Sequence, residues 1–189
     1  MRYIASLFCE WLHFFCKRTI LITERTRERT RGDEMALEEQ VVDRLIHLGY
    51  TVSFAESCTG GLCCGTLVNV ANASKVLNAS FVTYANAAKI RFLGVEADTI
   101  LNYGVVSEQV AAQMARGVAR TAESNVGVGI TGIAGPGGGT ANKPVGMVCF
   151  GFCVQDQVQT YTCQFGNLGR NRVRESAVKF VFSKLLEIL

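Results

Sequence analysis

The chain has 189 residues, 49% of them hydrophobic and 19% charged, with 19 glycines and 2 prolines. Those values exclude a disordered chain and, without a Gly-X-Y period, a collagen; the length suits one ordinary domain with a short appendage, whose core needs no disulfide or metal. Residues 1–34 hold 7 Lys+Arg and 5 Asp+Glu, a net of +2, and residues 35–189 hold 12 and 11, a net of +1, so the main body has no basic face and nucleic-acid binding is not expected.

Residues 1–23 are rich in aromatics and aliphatics but are interrupted by Glu10, His13, Lys17 and Arg18. No apolar run reaches the ~18 residues needed to cross a bilayer, and no small-residue cleavage site follows YIASLFC. The mixed charge run ERTRERTRGDE (24–34) reads as a solvated linker. Residues 1–34 are expected to be either a dispensable extension or an artefact of start-codon choice, with a weak interfacial anchor as the rival reading. Met35 then opens a segment that looks like a natural protein start.

Leu37, Val41, Leu45 and Leu48 predict a helix over 36–48, stopped by Gly49. YTVSFA (50–55) is strand-like, and a helical stretch runs from Thr59 or Gly60 to Val70. SFVTY (80–84) is a second strand, 86–92 a helix stopped by Gly94, and 97–103 a weaker helical turn. Ser107 is a good N-cap for a helix to about Thr121, with Val110, Met114 and Val118 on one face. VGVGIT (126–131), 145–154 and 158–165 are strands, the last two joined by the turn Gln155-Asp156-Gln157. Residues 170–189 close as an amphipathic helix. Strand–helix repetition predicts an α/β fold: a three-layer α/β/α sandwich on a mixed, mostly parallel sheet with one antiparallel hairpin.

The eight cysteines are Cys9, Cys16, Cys58, Cys63, Cys64, Cys149, Cys153 and Cys163. No pair has CxxC spacing and the only histidines are His13 and His47, so the thiols read as small apolar residues in a reducing cytoplasm rather than zinc ligands.

Three unusual segments each follow a predicted strand: AESCTGG (55–61), YANAAK (84–89) and TGIAGPGGG (131–139). Ligands of open α/β sheets bind outside the carboxyl ends of the strands, so parallel neighbours would bring the three segments to one crevice. In AESCTGG, Gly-Gly opens a helix and would leave backbone N–H groups free for an anion or oxyanion. Ser57 at the turn could be a nucleophile; alternatively Ser57 or Thr59 is only an N-cap. A serine nucleophile needs a base. His13 lies in the extension and His47 precedes a strand, at the opposite sheet edge, so a lysine is the open alternative, and Lys89 is a candidate because it lies one helical turn beyond the second strand's end. A solvated lysine is neutral in about one molecule in 2,000 at pH 7, but desolvation brings its pKa toward neutrality. Lys89 could equally be a surface lysine, and Tyr84 either a proton relay or an aromatic at a strand end. GIAGPGGG lacks both nucleotide-binding fingerprints; its backbone could approach a ligand closely or form a mobile loop. Lys143, Arg170, Arg172 and Arg174 could add positive charge, with Arg170 facing a phosphate.

AESCTGG, SFVTYANAAKIRFLGV, YGVVSEQVAAQMARG, GVGITGIAGPGGGTANKPVGMV and FGNLGRNRVR together resemble the C-terminal domain of the CinA family, the nicotinamide-nucleotide amidase domain, from about Met35 to the end. The resemblance implies a stand-alone, cytoplasmic, homo-oligomeric (dimeric) amidohydrolase. It would convert nicotinamide mononucleotide to nicotinate mononucleotide and ammonia in pyridine-nucleotide salvage, without metal or cofactor and without nucleic acid or stable membrane insertion. It implies Ser57 as nucleophile, Lys89 as its base and Tyr84 assisting. Substrate would be held by Cys58, Thr59 and Gly60 with Gly132, Ala134, Gly135, Arg170 and Arg174. The family's usual Glu before Ala-Lys is Ala87 here, which removes a carboxylate near the base. The alternatives are a thiol nucleophile at Cys58 and a non-catalytic nucleotide-binding or regulatory module.

Overall fold

The spacing of Val41, Val42 and Leu45 puts one face of a first helix, α1 (Leu37–Leu48), into the core, and Gly49 closes it in the left-handed conformation (φ 65°). The computed structural model describes residues 35–189, so the reading of 1–34 as an extension lies outside the described residues. The elements that follow are β1 (Val52–Glu56), α2 (Leu62–Val68), β2 (Phe81–Val82), α3 (Asn86–Leu93), α4 (Ala97–Tyr103) and α5 (Glu108–Thr121). The chain then continues through β3 (Val126–Gly132), β4 (Met147–Val154) and β5 (Gln157–Gln164) to α6 (Arg170–Ile188). Gly94 closes α3 at φ 68°, and the Ser107 side chain caps α5 by accepting from the Val110 N–H, both as their residue types predict.

The five strands form one sheet in the order β2-β1-β3-β4-β5. β2, β1 and β3 are parallel, and β4 is antiparallel to β3 as well as to β5. The antiparallel part therefore extends one pair beyond the expected hairpin. Residues 133–146 contain no crossover helix, and a chain that turns back without one must return antiparallel.

α1, α2 and α6 cover one face of the sheet around Phe54, Val128, Phe150, Phe152 and Phe182. α5 covers the other around Ala55, Val110, Met114 and Val118, with α3 and α4 packed on it. These are the three layers the alternation of elements predicts. The glycines of VGVGIT have a reason that periodicity does not reveal. α5 lies so close to the sheet that a Cβ on Gly129 would stand 2.3 Å from the Ala111 carbonyl oxygen, and one on Gly127 2.2 Å from that of Ala115. Both obstacles are backbone, which cannot rotate away. Gly129→Ala is expected to cost about 3 kcal/mol, roughly 10 °C in Tm, in a denaturation experiment. A loss under ~1 kcal/mol would mean that α5 is free to lift.

Candidate active site

β1, β2 and β3 end at the same edge of the sheet, so the segments after them meet there. Glu56 pairs with Val82 on one side and Ile130 on the other; the Thr83 N–H donates to the Glu56 carbonyl and the Ser57 N–H to that of Ile130. The strand thus fixes Ser57 at its exit. α3 begins two residues after Tyr84, and its first turn swings Lys89 back under that exit. Lys89 Nζ lies 3.1 Å from Ser57 Oγ, 2.7 Å from the Thr83 carbonyl oxygen and 3.3 Å from that of Tyr84.

Lys89 is fully buried (0% exposed) and forms no ion pair with a described carboxylate. Desolvation holds its pKa below the ordinary 10.5; a Cys58 thiolate would push it back up. That opposing charge is absent at neutral pH. Burial, reinforced by the negative charge of Glu56, pushes the Cys58 thiol up to about 12, although the nearby N–H groups of Cys58 and Thr59 and the Arg174 cation pull it the other way. The partners of Lys89 are therefore all neutral. Ala87, on the exposed side of α3, adds no charge near the amine.

The start of α2 differs from expectation. Its donors are not free: Glu56, only 1% exposed, accepts from the Gly61 and Cys63 N–H groups through Oε2 and from Cys64 through Oε1, while the Leu62 N–H reaches the Thr59 carbonyl. Neither Ser57 nor Thr59 caps the helix, and the Thr59 hydroxyl is buried without a partner. The Gly60 N–H is also occupied, by the Ser57 carbonyl. Among the described residues, the N–H groups of Cys58 and Thr59 have no carbonyl or carboxylate acceptor, so the oxyanion donors expected across 58–60 narrow to these two.

Arg174, expected to hold phosphate, has another job. Its Nε and Nη2 donate to the Cys58 and Thr59 carbonyls at 3.1 and 2.8 Å. Because the peptide is planar and trans, a Cys58 carbonyl drawn toward Arg174 turns the Thr59 N–H the opposite way. Arg170 bridges two of the three segments, donating to the Gly135 carbonyl at 3.0 Å and to the Tyr84 hydroxyl at 2.7 Å. Tyr84 is 60% exposed; its hydroxyl faces Arg170 and only its carbonyl faces Lys89, so a relay through its phenol is not set up here. Gly132 pairs within the sheet and Ala134 is buried in the core, so Gly135 is the member of that loop group tied to the crevice. Lys143 lies elsewhere, donating to the Tyr103 and Val106 carbonyls. A cavity of about 610 Å³ beside Asn125 and Gln155 sits at the other end of the sheet and holds no such nucleophile–base pair.

Six described cysteines are free thiols, and no group of three or more described His, Cys, Asp or Glu stands where it could hold a metal ion. No described helix is long and apolar enough to cross a membrane. A half-buried hydroxyl on a buried amine, beside two N–H groups that no carbonyl or carboxylate claims among the described residues, can perform acyl transfer. The rival thiol is the weaker nucleophile, since a group titrating near 12 is protonated at pH 8. Cys58→Ala is expected to keep activity within about fivefold and the parent to resist iodoacetamide. A loss above 100-fold would move the nucleophile to sulfur.

Glu56, Arg174 and the Arg170–Tyr84 bridge were not assigned these roles by sequence reasoning. The one available signal was a carboxylate closing the strand Val52–Glu56, whose residues are all buried.

The CinA C-terminal domain family matches residues 34–189. A "CinA-like protein" of Kosmotoga olearia is 46% identical over 160 residues, covering 84% of this chain and 39% of that protein. A protein of Caldicellulosiruptor saccharolyticus named as competence-damage inducible is 45% identical over 147 residues, 78% of this chain and 36% of its own length. The chain thus spans between a third and two fifths of these curated relatives. The crystal structure of the competence/damage inducible protein CihA from Agrobacterium tumefaciens superposes with a TM-score of 0.76 at 40% identity, covering 82% of this chain and 98% of that one. A CinA superfamily protein from Escherichia coli gives 0.78 at 34% identity, with 83% and 95% covered. The chain belongs to the CinA C-terminal domain family.

Proposed function

We propose that this chain is an amidohydrolase that converts nicotinamide mononucleotide to nicotinate mononucleotide and ammonia, in pyridine-nucleotide salvage. The observation that carries the reading is the 3.1 Å contact between Ser57 Oγ and a buried Lys89 amine that has no counter-ion among the described residues. Neutral Lys89 takes the Ser57 proton as Oγ bonds to the carboxamide carbon. The oxyanion forms opposite the Cys58 and Thr59 N–H groups. The C–N bond then breaks, and Lys89 returns the proton to the departing nitrogen as ammonia. Water attacks the resulting Ser57 ester, Lys89 takes its proton, and the acid leaves as Oγ is reprotonated. Arg170, at the crevice mouth beside Gly135, would meet the substrate phosphate by releasing Tyr84. The six free thiols among the described residues suit a reducing cytoplasm as the working compartment.

The experiment is direct. Purified protein is incubated with nicotinamide mononucleotide without added metal, and both ammonia and the acid product are assayed. One-to-one release of the two supports the reading. Binding without turnover would replace it with a nucleotide-binding module.

A further inference from the structure

Glu56 is buried, carries no ion pair with a described cation, and spends its carboxylate on three backbone N–H groups, those of Gly61, Cys63 and Cys64. Its backbone is locked between β2 and β3, with Val82 and Ile130 as register partners. One residue therefore ties both ends of the turn that presents Ser57: its main chain anchors the sheet end and its side chain anchors the helix end. The turn is a closed ring rather than a free loop, and the ring sets where Ser57 Oγ stands over Lys89.

The same carboxylate saturates donors at the start of α2 that would otherwise compete for an anion, while the Cys58 and Thr59 N–H groups, which lie near the Cys58 sulfur, keep no carbonyl or carboxylate acceptor among the described residues. A carboxamide could not substitute. It would turn an NH₂ group against at least one backbone N–H, donor against donor. Arg174 pins the carbonyls of the same turn from outside, so the turn is held from two sides by opposite charges.

We infer that Glu56 is a positioning residue for the acyl-transfer step, holding the Ser57 turn and its two oxyanion donors in reacting geometry without itself touching the substrate. The inference rests on the amidohydrolase reading for its substrate but not for its principal test. The full-length protein, Glu56→Gln and Glu56→Asp are reacted with a fluorophosphonate, in which Ser57 Oγ displaces fluoride at phosphorus. Labelling is followed by intact mass, and kcat and KM are measured on nicotinamide mononucleotide. Glu56→Gln is expected to label about 100-fold more slowly, the loss associated with one misplaced oxyanion donor. Final labelling should still reach one group per folded chain, kcat should fall in step, and KM should stay within about threefold. Glu56→Asp keeps the charge but is too short for all three donors, so it is expected to fold and to label about tenfold more slowly. Either folded variant labelling at the parent rate overturns the inference, as does a KM that rises by the factor kcat falls, or failure of both variants to fold. If the parent labels rapidly yet releases no ammonia from the mononucleotide, the amidase reading falls and the Glu56 result stands. If Ser57 of the parent labels no faster than in Lys89→Met, both fall.

Discussion

Ser57→Ala is expected to lower ammonia release from nicotinamide mononucleotide by about 10⁴-fold or more, with circular dichroism and Tm nearly unchanged. The size follows from what one oxygen does. Ser57 Oγ forms the covalent bond that divides amide hydrolysis into two easier steps, and no neighbouring group can replace it. Cys58 is the nearest candidate, but its thiol is pushed up to about 12 and almost none is ionised at neutral pH. Water could still enter the crevice, and the Cys58 and Thr59 N–H groups could still polarise the carboxamide, which sets a small residual rate. The fold should tolerate the change. Lys89 Nζ keeps the Thr83 and Tyr84 carbonyls, and the Ser57 backbone keeps its bond to Ile130. The decisive measurement is turnover per folded chain, with mononucleotide binding followed in parallel. Residual activity above ~1% would place the nucleophile elsewhere.

The parts of this site that could be read from sequence are those set by neighbours along the chain. Gly49, Gly94 and Ser107 punctuate helices through local backbone geometry, and the structure places them as caps. Ser57 and Lys89 could be brought together in thought because each directly follows a strand and the strands were expected to be parallel neighbours. What could not be read depends on contacts far apart in sequence. Arg174 meets the Thr59 carbonyl across 115 positions and Arg170 the Tyr84 hydroxyl across 86. No local pattern tells a carbonyl-binding arginine from a phosphate-binding one. Glu56 drew no reading from the sequence, where a carboxylate at a strand's end looks like the chain's return to water. Here strands on both sides and α2 ahead enclose it, so its partners are backbone. Likewise the short β2 and the β3–β4 pairing reflect how the sheet closes, which hydropathy along one segment does not encode.

Lys89→Met is expected to reduce turnover by about 10³-fold or more and, unusually for a buried substitution, to raise stability at neutral pH by about 1 kcal/mol, roughly 3 °C in Tm. Two effects oppose each other. Methionine has similar volume but leaves the Thr83 carbonyl without its 2.7 Å partner, a cost of about 1 kcal/mol. Against that, the parent must keep an amine in a site where no described residue supplies an anion, and an unpaired buried ammonium costs several kcal/mol. The second effect is the larger. Its pH dependence gives the signature: the folded pKa of Lys89 is lowered from 10.5 by desolvation. Between that lowered value and 10.5 the unfolded chain binds more protons than the folded one, so parent stability rises with pH across this window. Below the window both states are protonated and the full penalty is present. The advantage of the methionine variant should therefore be greatest at low pH and shrink as pH approaches 10.5. The parent's kcat should climb over the lower part of the same interval as the amine becomes neutral, while the variant's residual rate shows no such limb. Thermal melts of both proteins at several values between pH 6 and 10 measure the difference. A methionine variant less stable at every pH would mean that the amine's hydrogen bonds outweigh its desolvation. Lys89 would then be held as an ammonium, unable to take the Ser57 proton.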